Sequence, residues 1–575
     1  MPTLVRALLD YDPGLLEIIA AQWDVDLTTD DRAQASDELA AAMARPEAVA
    51  AIWERLDQQQ CEALFDLQAQ AGRIPLSQFV RRYGELRPMG PARREREKPW
   101  INPISTTEAL YYRALIVRVF EQTVAGAQEM IAIPEELRDL LPRPPLEKLA
   151  RTPGYAVAPP RKLRDGHLTA PDDMATLLAY LLLRDTNARG WLANTPVEVI
   201  DRHLRRSSEP AYRALLVQLA YDLDFIADEE TLTHIVTRVD KERVRPWLEA
   251  PRAHQARLLA EAWFESTRWN DLMYVPGLEA DQWPNTGIVA RHAVLEMLRE
   301  VPSEIWWSLD GFIEYVKQVN PDFQRPGGDY AAWYLRDAYS GEIMHGLQYW
   351  DHIEGALIRF LFEGPLHWLG LVRAGRGVFL LTPLMLALQG IVPWPDTPDR
   401  PARIRVDEQG VISAPVDLSR YDRVKIARFC AWIGTPAPAP YVPYGESRDE
   451  GVYLYRLTPQ AIARVADEGV ELPAIIAFLQ RLSSHALPPN VLKMLQNWHD
   501  NPREVIVHDV VIVSAKDLGV YERLRDNERV SRWLGRQVGP HAHIVQREDM
   551  PQLLNALREM GILPLFEGHE KDEWP

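Results

Sequence analysis

The chain has 575 residues, 82 Asp and Glu against 64 Lys and Arg, a net charge of -18 and 47% hydrophobic content. This composition excludes a disordered chain, and the negative balance excludes indiscriminate coating of nucleic acid, which an acidic surface repels. Its two cysteines, Cys61 and Cys430, exclude a disulfide framework and fit a reducing cytoplasm, and the lack of an apolar run of spanning length leaves no expected membrane partner.

A length of this order suggests three or four domains. Residues 1–141 read as helices with short strands, with helices expected over 62–70, 76–83 and 106–121 and a strand at 129–133. Between Arg73 and Arg118 ten cations face four carboxylates, a local charge of +6 that leaves -24 for the rest of the chain. If this unit is winged-helix-like, the helix over 106–121 is the one that faces a duplex groove. Arginine's planar fork suits phosphate, so Arg81, Arg82, Arg87, Arg93, Arg94, Arg113 and Arg118, with Tyr111 as a register-fixing contact, are the candidate DNA-binding residues. The run Arg93-Arg94-Glu95-Arg96-Glu97-Lys98 reads equally as a solvated loop that pairs with itself or with acidic neighbours.

A proline-rich joint is expected over 142–171, exposed and extended. A second unit, 172–285, carries helical patterns at 174–186, 194–206 and 209–222, then strands at 225–227 and 231–236. A third, 286–392, opens a helix at Ser308-Leu309-Asp310, continues with one from Asp351 to Leu361, and closes on a hairpin at 371–380 whose turn holds Gly375 and Gly377. Three helical segments followed by a hairpin recur in all three units, which makes tandem winged-helix-like domains the expected architecture. The aromatic set Trp306, Trp307, Phe312, Tyr315, Phe323, Tyr330, Trp333, Tyr334, Tyr349 and Trp350 lies at helical spacing beside aliphatic residues and reads as core before it reads as a base-stacking platform. Residues 393–402 form a second joint.

The last segment, 403–568, changes pattern. Thr458 is placed to cap a helix that begins at Pro459 and stops at Gly469; a second helix runs over 472–482; a third follows Pro488-Pro489 with Val491, Leu495 and Trp498 on one face. Strand, helix, strand and helix come after. This ordered set, with Leu457-Thr458-Pro459 and the closing pattern from Val505 to Leu563, resembles the helicase-associated domain at the N-terminus of XPB-type DNA repair and transcription helicases. The resemblance implies a small α/β module that positions a helicase on DNA or holds a partner subunit. In outline the whole chain is similar to the subunit that clutches XPB in the eukaryotic repair and transcription factor, where winged helices precede such a domain, and this implies a helicase supplied in trans.

A motor would need Gly-x-x-x-x-Gly-Lys-Ser/Thr, whose amides cradle phosphates while its lysine neutralises them. Neither that run nor an Asp-Glu-x-His helicase box occurs in the sequence. No catalytic residue, cofactor or metal site is expected: His541 and His543 lack third and fourth ligands at zinc spacing, and no Gly-x-Ser-x-Gly, His-Glu-x-x-His or Cys-x-x-Cys run occurs. The expectation is a non-catalytic accessory protein with duplex DNA, an XPB-type helicase or another repair or transcription protein as partner; the alternatives are a protein-only scaffold and, further off, an enzyme with a dispersed site.

Overall fold

The structure, a computed structural model, describes residues 2–29, 31–123, 126–144, 152–164, 168–206, 209–230, 235–280, 287–325, 327–436, 441–443, 451–500 and 510–565. It mixes helices with small antiparallel sheets. Contacts divide the chain into two units, Met1–Lys493 and Met494–Pro575.

The larger unit begins with helices Leu4–Leu9, Pro13–Gln22, Arg32–Met43 and Pro46–Glu54. The next stretch runs helix Gln58–Ala69, strand Arg73–Pro75, helices Leu76–Tyr83, Pro91–Glu97 and Thr106–Tyr111, then the hairpin of Val117–Thr123 and Gly126–Ala132. The short first strand pairs with the second arm of the hairpin, Ile74 opposite Ile131, so the three strands lie with 126–132 in the middle. Of the helix expected over 106–121 only Thr106–Tyr111, six residues, is helical. It ends at Tyr111, a turn with Ala114 at φ +50 follows, and the alternating run Ile116-Val117-Arg118-Val119-Phe120 beyond it favours a pleated, half-buried strand because its β-branched side chains are confined at χ1.

Helix Ala170–Leu183 is the axis of the next region. Every residue from Ala170 to Leu181 is buried, as expected for a helix surrounded by packing on all sides. Its first turn carries Asp172 and Asp173, both fully inaccessible. Their charges favour the positive end of the helix dipole, and arginines from distant segments meet them: the Arg205 guanidinium lies 3.4 Å and Arg252 lies 2.9 Å from Asp172, while the Arg205 amide donates to Asp173 at 2.8 Å. Arg423, on helix Arg420–Arg428, donates to Thr176 Oγ1 at 2.8 Å and stacks 4.1 Å from the Tyr453 ring. Helix Arg420–Arg428 therefore shares one interior with helix Ala170–Leu183.

The proline-rich stretch 142–171 departs from the exposed spacer expected of it. Residues 145–151 and 165–167 lie outside the described residues, but Lys162–Arg164 is the second strand of a five-stranded antiparallel sheet ordered 441–443, 162–164, 372–375, 378–381, 307–308. Leu163 is buried there, opposite Gly375 and Val442, and Trp307 Nε1 donates to the Pro153 carbonyl at 3.1 Å. Proline thus starts and stops short paired segments here, in place of an extended spacer. Residues 393–402 do stay irregular and largely exposed, although Asp399 accepts from the Arg252 amide at 2.9 Å.

Of the helix expected over 194–206 only Glu198–Asp201 is helical, while other expected elements form. Ser308 caps helix Leu309–Val319 through the Gly311 amide at 3.1 Å, and the hairpin Val372–Gly375 with Val378–Leu381 turns at Gly377, φ +69, a left-handed position that suits glycine. The helix expected from Asp351 begins with a π turn, Asp351–Gly355, before Ala356–Glu363. The second hairpin is Ile226–Glu230 with Ile235–Val239; residues 231–234 of the expected strand lie outside the described residues. Trp306, Trp307, Phe312, Tyr315, Phe323, Tyr330 and Trp350 are core, while Tyr334 is exposed.

The segment 403–568 does not behave as one body, because the contact division falls at residues 493 and 494. On the larger-unit side it contributes a four-stranded antiparallel sheet, ordered 405–406, 411–415, 452–457, 430–434, and two helices at the expected places: Pro459–Asp467, capped by Thr458 Oγ1 accepting from the Ala461 amide at 3.3 Å and followed by Gly469 at φ +86, and Leu472–Leu482. Helix Pro489–Asp500 buries Val491 and Leu495. The smaller unit holds strands Val510–Ser514, Gln537–Gly539 and Ala542–Gln546, ordered 510–514, 542–546, 537–539, over a core of Leu524, Val530, Val545, Met550, Leu553 and Leu557. Val505, where the closing pattern was expected to start, lies outside the described residues.

Candidate functional site

Helix Leu76–Tyr83 presents Arg81 and Arg82 in its last turn, where cations complement the helix C-terminus. Arg81 forms a two-pronged pair with Asp322 at 2.9 and 3.1 Å. Asp322 is buried and also accepts from the Tyr330 hydroxyl at 2.7 Å; burial, then Asp322, pushes that phenol far above its usual range. Arg82 pairs with buried Asp66 at 2.6 Å.

Farther on, Ser105 caps helix Thr106–Tyr111 by accepting from the Glu108 amide at 3.0 Å, and the Glu108 carboxylate accepts from the Ile104 amide at 2.9 Å, a reciprocal arrangement of the capping-box type. The same carboxylate grips Arg87 at 2.6 and 2.8 Å. Arg93 pairs with Glu97 one helical turn away at 2.8 Å, Arg94 is buried against Asp12, and Arg118 pairs with Glu129 across the hairpin. Burial works against ionisation of Asp12, but the Arg94 hydrogen bond and charge with the Leu15 amide outweigh it and hold the carboxyl below its usual range. Arg113 donates to the Ala109 carbonyl at 2.9 Å. Tyr111 packs edge-on against Tyr11, 5.7 Å between centroids, and burial raises its pKa.

The eight residues singled out from sequence thus share one region, and all seven arginines are engaged. Six carboxylates, Asp12, Asp66, Glu97, Glu108, Glu129 and Asp322, meet six of the seven guanidiniums. Counted through space, the ten cations of the window stand against its own four carboxylates and five partners from outside it, Asp12, Asp66, Glu121, Glu129 and Asp322, which leaves +1 where the window alone holds +6. The helix intended for a groove offers little face: Thr106, Thr107, Glu108, Ala109 and Leu110 are all buried.

A cavity of about 710 Å³ opens where Glu209–Ala211 and Tyr274–Pro276 meet helices Leu309–Val319 and Ala356–Glu363, beside the π turn. Its walls include Phe360 and Trp368, and sequence reasoning did not find it because its residues come from six separate stretches. Glu209 accepts from Trp368 Nε1 at 2.8 Å and pairs with Arg206; Asp310 pairs with Arg359 and Asp351 with Lys317. Its charges are also mostly matched from within. Among the described residues no three His, Cys, Asp or Glu side chains gather as a metal group; His543 instead bonds to the Tyr521 hydroxyl at 3.1 Å and the Gly535 carbonyl at 2.7 Å. No described helix is long and apolar enough to cross a membrane. No protein-family model matches the chain, and no curated protein matches it.

Proposed function

We propose that the chain is a non-catalytic accessory protein that works by holding other proteins, with an XPB-type helicase as the partner class implied by the resemblance of residues 403–568. The observation that carries the protein-binding emphasis is the near-neutral pairing of the arginines between Arg81 and Arg118. Phosphate binding draws on cations that can release counterions from a polyanion, and a guanidinium already held by a carboxylate offers less charge to that exchange. The buried face of Thr106–Tyr111 points the same way.

Direct binding of duplex DNA is the second reading. It is supported by the chain order and strand pairing from Gln58 to Ala132, helix, strand, helix, two further helices and a hairpin whose second arm pairs with the first strand, an order similar to that of a winged-helix domain with one helix added. The deciding experiment is a titration of labelled duplex with the full chain across a salt series. A slope of log affinity on log salt no steeper than about -1 is expected for one net cation, whereas a slope near -4.5, that of about five phosphate contacts, overturns the protein-binding emphasis in favour of DNA.

A further inference from the structure

The first 70 residues contain 14 carboxylates and four arginines, a net charge of -10 within a chain of -18. Few of these carboxylates are held by arginine, in contrast to the basic segment. Asp12 and Asp66 are taken by Arg94 and Arg82, and Asp24 by Arg55. Eight exposed carboxylates, Glu17 and Asp26 among them, have no ion-pair partner among the described residues, against three exposed arginines, Arg6, Arg32 and Arg45. The excess of five negative charges remains on the surface.

Within this surface lies a groove of about 560 Å³ between helices Pro13–Gln22 and Arg32–Met43 and residues 25–29. Its floor is Leu16, Ala20 and Ala35, its far wall Val25 and Leu27, and the exposed Glu17, Asp26 and Arg32 stand on the rim, where they leave one net negative charge. The alanines matter geometrically, since small side chains let a third helix settle against the ridges of the two that form the groove. Aliphatic anchors at i, i+3 and i+4 on such a helix would meet the floor, and its flanks would meet carboxylates.

We infer that this groove is a docking site for a basic amphipathic helix of a partner protein, one with leucine-like anchors on one face and Lys or Arg on its flanks. The inference rests on the protein-binding reading above and specifies the chemistry of one partner segment. Charge complementarity selects that occupant: an acidic or neutral helix leaves the rim carboxylates unmatched, and a second copy of this chain in a two-fold contact would set acid against acid.

The test titrates full-length protein into a labelled peptide of about fourteen residues with leucine at helical i, i+3, i+4 spacing and lysine elsewhere, read by fluorescence anisotropy, beside a peptide with glutamate in every lysine position. The lysine peptide is expected to bind and the glutamate peptide not to. Ala21→Trp, which fills the groove mouth without changing charge, is expected to weaken binding at least about tenfold, and Glu17→Lys with Asp26→Lys to do so comparably. Glu314→Lys, on another helix, is expected to leave it unchanged. Unchanged thermal melting of Ala21→Trp establishes that loss of binding is local, and the charge variants read the same site should that variant misfold. Equal binding by both peptides, undiminished binding by the variants, or no binding overturns the groove assignment. The DNA salt series is independent of this outcome, so the broader protein-binding reading stands or falls separately.

Discussion

Arg93 and Arg291 both meet carboxylates, yet they do different things. Arg93 pairs with Glu97 on the outside of a short helix, with half its side chain in water. Arg291 is fully buried: it lies 2.7 Å from Asp271, donates to the Trp269 carbonyl at 3.0 Å, and reaches the Ser266 carbonyl. Arg213 repeats the second pattern with Asp201 and the carbonyls of Trp191, Ala193 and Thr195. The five donors of a guanidinium satisfy the carbonyls of irregular backbone that no helix or strand can serve. In the interior, arginine organises loops; on the outer face of the first region, it balances local charge.

The largest effect is expected at Arg291. Replacement by Met leaves Asp271 buried with only the indole donors of Trp263 and Trp269, at 3.2 and 2.8 Å, and the expected loss is about 3–5 kcal/mol in urea unfolding. A loss below about 1 kcal/mol would show that the interior arginine is no more demanding than the surface one.

Asp173 sharpens the contrast through pH. Burial pushes its carboxyl up to about 6, against the pull of the Arg205 amide and charge and of the Tyr212 hydroxyl. The folded state therefore holds a proton that the unfolded chain releases near pH 4, so this group's contribution is fully present below about pH 4 and is lost as pH rises through 6, roughly 2–3 kcal/mol in all. Asp173→Asn is expected to remove that slope, read as the difference in unfolding free energy between variant and parent at pH 4.5 and 6.5. His203 acts in the opposite sense, since burial, with Arg184 and Arg202, lowers its pKa to about 4. The subtraction against parent keeps the two apart.

Arg81 lies between the extremes. Its loss strands Asp322 with its Tyr330 donor, and Arg81→Ala is expected to cost about 1–3 kcal/mol by thermal or urea unfolding. Arg93→Ala is expected to leave the melting temperature unchanged within error, because an exposed i,i+4 pair is screened by solvent. A large drop there would place Arg93 in a structural role that its exposure does not suggest.

Local signals were legible in the sequence wherever one residue type answers one backbone need. Thr458 before Pro459, Gly469 after the helix, Ser308 before its helix and Gly377 in its hairpin all stand where spacing placed them. What could not be read was the pairing of charges over distance. The arginines at 81, 82, 94 and 118 find Asp322, Asp66, Asp12 and Glu129, and a running count of charge contains no information about contacts separated by tens or hundreds of residues. The proline-rich stretch failed for a related reason: composition disfavours helix and long strand, but a strand of three residues between partners on either side is within its means. The large cavity was invisible for want of any single stretch that builds it.

Strand Lys162–Arg164 has its two neighbours at Val372–Gly375 and Tyr441–Pro443, and this bears on how the protein is made. A ribosome that has just released residue 164 must add over two hundred more before the first neighbour exists, and further residues before the second, a wait on the order of tens of seconds at ordinary elongation rates. Throughout that interval the strand edges and Leu163 have no native cover. Completion of the sheet is a late event of synthesis, and a chain stalled before residue 372 carries an open edge on which other strands can pair.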